Sequence, residues 1–146
     1  MLYKMYMLQS TVFFLLWVAY FCLAETSFGL YFESSVSSNA KVAEVTIVMF
    51  RVLGMFAFII SGLLCTAAKV HTKGMNTAVG IGFMALGAFC LYLEFSGRGK
   101  AIGMQSTMGP IPVSGGLFWG VYNSMSGVCF LVGGPAAGEK DGKKKK

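Results

Sequence analysis

Charged residues within or at the ends of apolar segments are the residues of this sequence most able to do chemistry. Arg51 lies about two turns inside the second long apolar segment, and Glu44, two turns earlier, shares its helix face. Glu25 ends the first segment and Glu94 ends the third. Because ionisable groups are costly in a membrane, such residues mark ion or proton sites by default. A structural ion pair of Arg51 with Glu94 or Glu25, or side chains that extend to the membrane interface, explains the same pattern.

The remaining reactive side chains do not form a recognisable catalytic or metal-binding set. His71 is the only histidine, and its position between Lys69 and Lys73 predicts a solvated side chain in a short loop. The 4 cysteines lie singly within apolar segments, without the spacing of a zinc site. The sequence contains no Ser/His/Asp set and no phosphate-binding loop motif. We therefore predict a protein that is not an enzyme and that uses no cofactor or metal.

The elements that must position these residues are strongly apolar. Of 146 residues, 55% are hydrophobic and only 12% are charged, and the mean hydropathy is +0.67. A soluble domain is about 25% charged, so this composition argues against a soluble enzyme, a disordered tail and a nucleic-acid-binding domain. A membrane-spanning helix needs about 20 apolar residues, and the chain has room for about four of them.

Four segments are apolar on all sides, which is typical of membrane-spanning helices. We predict an all-α polytopic membrane protein, an antiparallel four-helix transmembrane bundle over residues 1–138 followed by a lysine-rich cytosolic tail at 139–146. The spans are about 5–26, 43–68, 74–94 and 110–134, with polar loops at 34–39 and 95–109. The first segment also resembles a signal peptide, since Lys4 precedes it and Cys22-Leu23-Ala24 loosely fits a cleavage site. Its length favours a retained helix.

Small residues at four-residue spacing predict where helices pack closely. In lipid such pairs allow two helix backbones to approach each other. The pairs are Ala57 with Ser61, Ala78 with Gly82, and Gly116 with Gly120.

The distribution of lysine and arginine predicts the orientation of the bundle. With four spans, the N-terminus, the loop around His71 and the tail share one side, and that side holds most of the basic residues. The positive-inside rule then places both termini in the cytosol.

The last residues of the chain resemble a sorting signal. Lys143 and Lys144 are fourth and third from the C-terminus, the positions of the dilysine signal recognised by the COPI coat. A lysine-rich end also binds anionic lipid, which is the alternative explanation.

Several short motifs resemble a known family. An arginine lies at the start of the apolar segment in Phe50-Arg51-Val52-Leu53-Gly54, and the third span ends with Leu93-Glu94-Phe95. Leu117 to Tyr122 and Gly127 to Gly133 follow. Over roughly residues 51–133 the chain resembles the COPI-associated family of small four-span Golgi membrane proteins. It is more distantly similar to the Flower family of vesicle proteins, for which calcium-channel activity has been proposed. The resemblance implies Golgi or endosomal residence and a trafficking role, and it implies no catalytic residue.

Three hypotheses about function remain open at this point. The first is a non-enzymatic trafficking protein of the ER, Golgi and endosomes, with the bilayer, the COPI coat and membrane partners or further copies of itself as partners. The second is an accessory subunit of a respiratory, ATP synthase or photosynthetic complex in a mitochondrial or plastid membrane. The third is a small ion channel or transporter that uses Arg51 and Glu94.

Overall fold

The computed structural model describes residues 1–107 and 112–133, except for the side chains of Ser35 and Ser37. Over these residues the chain is helical, and Phe32 and Met104 form an isolated antiparallel bridge. The helices are α1 Leu2–Trp17, which continues as a π-helical segment Val18–Cys22, α2 Ala24–Tyr31, α3 Ser34–Ser37, α4 Ala40–Val70, α5 Lys73–Phe95, α6 Arg98–Ala101 and α7 Gly115–Val132. The described chain therefore confirms the predicted all-α class.

Three helical segments of the described chain are long and apolar enough to cross a membrane: Leu2–Cys22, Ala40–Val70 and Lys73–Phe95. The protein is thus described as an integral membrane protein with three candidate spans. The helix α7 is not among them, because its glycines, its serines and Asn123 make it less apolar than the three candidate spans. The predicted all-helical class is confirmed, and three of the four predicted spans correspond to these candidate spans.

Each candidate span is bounded by charged residues that lie about one bilayer thickness apart. At 1.5 Å per residue each charge-free interval is about 30 Å long, which matches the hydrocarbon core of a bilayer. The bounding residues are Lys4 and Glu25, Arg51 and Lys69, and Lys73 and Glu94. Since α4 begins at Ala40, its first three turns extend beyond this interval.

Polar caps fix where three of the long helices begin. The side chains of Asn39, Thr72 and Ser114 accept hydrogen bonds from the backbone N–H groups three residues later, at 3.3, 3.2 and 3.1 Å. Such caps satisfy backbone donors that the first helical turn leaves unpaired. They precede α4, α5 and α7, so the sequence itself specifies these starts.

The long helices associate as two pairs, α1 with α4 and α5 with α7. The pairs meet around Tyr6, where the Tyr6 and Phe130 rings lie 4.8 Å apart and the Phe83 and Phe130 rings stack at 5.7 Å. Leu64 and Ala68 of α4 complete this cluster. This cluster lies nearer the N-terminus of α1 and is one of two in the described chain; the second contains Ala24, Phe28 and Phe50.

The two ends of the bundle are defined by contacts between helix termini. At the end that we call the amino-terminal end, a Cβ built on Gly133 would lie 3.0 Å from the Cγ atom of Leu2, and Tyr6 stacks on His71. At the opposite end, which we call the distal end, Arg51 lies beside Glu25. The last turn of α7 therefore lies beside the start of α1, and α7 runs antiparallel to it.

The distal end carries helical structure that the sequence patterns did not predict. The π-helical segment ends at Leu23, whose φ of −115° and ψ of 35° leave the helical region, and α2 then starts in a new direction. The Ser27 hydroxyl donates to the Ala19 carbonyl at 2.8 Å, which satisfies a carbonyl of the π-helical segment. The predicted polar loops at 34–39 and 95–109 contain the short helices α3 and α6.

The expectation for His71 was wrong. Its side chain is only 6% exposed, and its ring stacks on Tyr6 with the centroids 5.4 Å apart. The non-helical break between α4 and α5 consists of His71 and Thr72 alone. The connection is so short that His71 stays against the bundle, where Tyr6 of α1 covers its imidazole ring.

Candidate functional site

The structure pairs Arg51 with Glu25, one of the two acidic partners that the sequence offered. The Arg51 Nη2 and Glu25 Oε1 atoms are 3.9 Å apart, and the two side chains are 52% and 78% exposed. An ion pair that is this long and this exposed contributes little to stability. The pair therefore behaves as a structural contact on the surface of the bundle, at the distal boundary of α1 and α4.

The other two acidic candidates lie elsewhere on the distal end. Glu94 lies against the first turn of α7, where a Cβ built on Gly116 would be 2.8 Å from its Oε2 atom. Glu44 is exposed on the part of α4 that extends beyond the charge-free interval. The structure thus brings Glu94 to α7 and does not bring it to Arg51.

Aromatic side chains from three parts of the chain meet at the distal end. The Tyr20 hydroxyl donates to the Tyr31 hydroxyl at 3.2 Å, and the Trp119 indole N–H donates to the same oxygen at 2.9 Å. The Tyr20 ring contacts Phe50 edge to face at 5.1 Å. This arrangement ties the π-helical segment, α2, α4 and α7 together. We call these four residues the aromatic cluster.

The aromatic cluster lines a cavity between α4 and the α5–α7 pair. This apolar cavity has a volume of about 320 Å³, and its walls include Leu53, Cys90 and Leu93. A second cavity of about 410 Å³, the polar cavity, adjoins it and is lined by charged and amide side chains from Glu94, Lys100 and Gln105 among others. Both volumes fall in the range of small-molecule sites. Leu93, Met104 and Gly116 line both cavities, so the two cavities adjoin each other along these residues.

A set of buried hydrogen bonds joins the two helix pairs in the half of the bundle nearer the amino-terminal end. The Tyr6 hydroxyl donates to Asn76 Oδ1 at 2.9 Å. Gln9 donates through Nε2 to the Ser126 hydroxyl at 2.8 Å and accepts from the Tyr122 hydroxyl at 3.0 Å. Since polar groups in lipid must find partners within the protein, these contacts fix how α1 packs on α5 and α7.

A further buried contact joins α1 to α4 on the other side of α1. The Ser10 hydroxyl donates to the Ser61 carbonyl at 2.9 Å, and the Ser61 hydroxyl donates to the Ser10 carbonyl at 2.8 Å. This reciprocal pair brings the two backbones close together. It gives Ser61, which the sequence selected for its small size, a hydrogen-bonding role as well.

The small residues selected from sequence fall into two groups. Ala57, Ser61, Gly116 and Gly120 are buried between helices. Ala78 and Gly82 are exposed, and a Cβ on Gly82 would have no neighbour within 4 Å. The α5 glycines that face α7 are instead Gly80 and Gly87, so the predicted contact lies on the wrong face of α5.

The sequence patterns missed most residues of the buried polar set. The available signal was the spacing of Tyr6, Gln9 and Ser10, three polar groups on one face of an otherwise apolar helix. On α7 the corresponding signal was the spacing of Asn123 and Ser126. Their partners could not be identified from sequence, because they lie on other helices.

No group of three metal-ligating side chains occurs within residues 1–107 and 112–133. Lys143 and Lys144, the residues predicted to bind the COPI coat, lie outside the described residues. In the described chain, the geometry that stands out for binding is the pair of cavities at the distal end.

Comparisons with known proteins add no further assignment. No family model, no curated protein and no solved structure matches the chain.

Proposed function

We propose that this protein is a non-enzymatic, four-span membrane protein of the early secretory pathway, with both termini in the cytosol. The observation that supports the fourth span is the antiparallel packing of α7 on α5, with Gly127 against Gly80 and Gly120 against Leu91. Lying beside a candidate span over its length, α7 extends between the same two ends of the bundle. Its 18 residues correspond to about 27 Å, close to one hydrocarbon core.

The proposed orientation rests on where the basic residues lie. Lys4, Lys69 and Lys73 lie around the amino-terminal end, which also contains Gly133. Lys41, Arg98 and Lys100 lie at the distal end, so the five tail lysines decide the balance. The lysine tail follows Gly133 in the chain. Since basic residues near span ends favour the cytosol, this end is the cytosolic one in our proposal.

A cytosolic tail is the requirement for recognition by a vesicle coat. Lys143 and Lys144 are the fourth and third residues from the end of the sequence, the positions of a dilysine signal. We assign to this pair the binding of the COPI coat, which would return the protein from the Golgi to the ER. The single observation on which this assignment depends is the contact between Leu2 and Gly133, because it starts the tail at the lysine-rich end.

Changing both lysines tests the assignment. In the full-length protein with an N-terminal tag, Lys143→Ser with Lys144→Ser should move the protein from early to later secretory compartments. The matched control is Lys145→Ser with Lys146→Ser. It removes the same charge but keeps Lys143 and Lys144 as the fourth and third residues from the C-terminus. Fluorescence microscopy against compartment markers distinguishes the two variants.

Two results would contradict the proposal. An equal distribution of both variants would show that the tail acts only through its charge or not at all. Co-migration of the protein with a large respiratory or photosynthetic complex on a native gel would instead assign it to the accessory-subunit class.

A further inference from the structure

We propose that the apolar and polar cavities at the distal end together bind one zwitterionic glycerophospholipid, with an acyl chain in the apolar cavity and the headgroup in the polar cavity. This site goes beyond the trafficking role and does not depend on the lysine tail. The proposal rests on the order of the cavities relative to the membrane, on their charges and on the residues that line both of them.

The order of the two cavities matches the order of groups in a phospholipid. Phe50, Leu53 and Cys90, which line the apolar cavity, lie within about one turn of the residues that end the charge-free intervals of α4 and α5. The polar cavity begins at Glu94 and continues into the segment beyond α5. A lipid at this boundary would therefore meet apolar walls first and charged walls at the level of its headgroup.

The apolar cavity is accessible from the side of the bundle. Leu53 lines it, lies within the charge-free interval of α4 and is exposed on the outer surface of this helix. Met49 also lines it and is exposed, about half a turn beyond Arg51. Exposed apolar side chains at membrane depth contact hydrocarbon chains, so an acyl chain enters from the bilayer without crossing water. Because this opening faces the bilayer, it gives a lipid direct access to the cavity but gives a water-soluble ligand none.

The charges in the polar cavity favour a zwitterionic headgroup over an anionic one. Glu33 and Glu94 bring two carboxylates to the lining of this cavity and Lys100 brings one ammonium group, so an anionic headgroup is disfavoured. Lys100 supplies an ammonium group for a lipid phosphate, and Glu94 supplies a carboxylate for a headgroup ammonium. Among the described residues neither side chain has a hydrogen bond or an ion pair of its own. Both charges are therefore available to a ligand.

Gly116 connects the two parts of the site. It lines both cavities, and the Glu94 carboxylate lies in the space that a side chain at this position would occupy. The absence of a side chain thus allows the carboxylate to lie at the junction where a headgroup would meet the glycerol backbone.

Trp119 provides a direct measurement of acyl-chain binding. The chain has 2 tryptophans, and Trp17→Phe leaves Trp119, which lines the apolar cavity, as the only one. Phosphatidylcholine brominated on its acyl chains should quench this fluorescence saturably in detergent micelles at low lipid mole fraction. Phosphatidylglycerol and diacylglycerol with the same chains should bind about three- to tenfold more weakly.

Two kinds of variant separate specific binding from general contact with lipid. Thr46→Phe fills the apolar cavity from α4 and should abolish saturable quenching. The control Thr66→Phe changes another exposed threonine of α4, whose hydroxyl likewise donates to the carbonyl four residues earlier, and should leave quenching unchanged. Lys100→Gln should remove the preference for phosphatidylcholine over diacylglycerol, and Glu94→Gln should remove its preference over phosphatidylglycerol.

The proposal is overturned if the three lipids quench Trp119 equally, or if Thr46→Phe and Thr66→Phe behave alike. Circular dichroism and gel filtration check that each variant is folded. Lys100 and Glu94 are exposed, so their variants keep the test decisive even if Thr46→Phe does not fold. None of these outcomes bears on the tail lysines, so the two proposals fail independently.

Discussion

At the scale of single residues, the bundle is specified by a few buried polar side chains. Tyr6, Gln9 and Ser10 lie on neighbouring turns of α1 and reach three different helices, α5, α7 and α4. In lipid the apolar surfaces of helices have little preference for one another, so hydrogen bonds and close packing decide which helices associate. These residues therefore select the arrangement of the bundle more than its apolar surface does.

Replacing Gln9 with leucine should destabilise the protein by about 1 kcal/mol. The change leaves the Ser126 and Tyr122 hydroxyls without their partner, while the similar size of leucine preserves packing. Unfolding in mixed detergent and SDS micelles, followed by circular dichroism, measures the free energy.

Thr11→Val is the matched control for Gln9. The Thr11 side chain is exposed, and its hydroxyl donates to the Met7 carbonyl of the same helix at 3.0 Å. Its replacement should change the free energy of unfolding by less than half as much. Equal effects of the two substitutions would show that the Gln9 contacts do not hold the helix pairs together.

At the scale of elements, the most extensive contact between described helices is that between α5 and α7. A Cβ on Gly87 would lie 2.8 Å from the Ser124 nitrogen and 2.9 Å from the Gly120 carbonyl oxygen. A Cβ on Gly127 would lie 2.7 Å from the Gly80 carbonyl oxygen. A side chain at Gly87 or Gly127 would meet backbone atoms, which cannot rotate away. The two helices can pack this closely because these positions are glycines.

Gly87→Ala should therefore push the two helices apart and destabilise the protein by about 1–3 kcal/mol. The matched substitution Gly82→Ala lies five positions away on the same helix, where a Cβ meets nothing within 4 Å. It should be neutral or should stabilise α5 by up to about 1 kcal/mol, since alanine favours helix over glycine.

The same SDS titration compares the two glycine variants. If Gly82→Ala proved the more damaging, the face of α5 that packs on another helix would be the one predicted from sequence. That result would also show that the exposed face of α5 contacts a partner or a second copy of the chain.

At the scale of the whole molecule, the bundle has two chemically different ends. The amino-terminal end contains basic residues around the short turn between α4 and α5. The distal end contains the acidic residues of the described chain together with further basic residues, the aromatic cluster and both cavities. The antiparallel packing of the long helices creates this separation, because it places alternate connections on opposite ends.

The separation predicts which residues share a side of the membrane. In a cysteine-free background, Lys73→Cys and Lys4→Cys should react with an impermeant maleimide from the cytosolic side of sealed vesicles. Ser106→Cys should react only from the opposite side. A cysteine added after Lys146 should behave like Lys73→Cys, which requires that α7 cross the membrane.

Gel-shift labelling of sealed and opened vesicles measures this pattern. If the added C-terminal cysteine reacted from the same side as Ser106→Cys, α7 would not span the bilayer. The three candidate spans would then stand alone, and the tail would not be available to a cytosolic coat.

The amino-acid sequence alone determined the class of the protein and, to within a few residues, the limits of α4 and α5; it did not predict the helix break at Leu23 or the start of α7 at Gly115. Apolar segments of about 20 residues, charges about 30 Å apart and polar caps are local features, so they can be identified without knowing what each helix packs against. For this reason α5 was predicted at 74–94 and begins and ends within one residue of those limits.

The tertiary structure alone decided which faces meet and where a ligand fits. Glu25 rather than Glu94 approaches Arg51, His71 is covered by α1, and Gly87 rather than Gly82 faces α7. An all-round apolar helix has no polar stripe to mark its inner side, so its sequence does not specify its rotation about its own axis. The distal cavities likewise arise from residues distant in sequence and exist only once the two helix pairs are assembled.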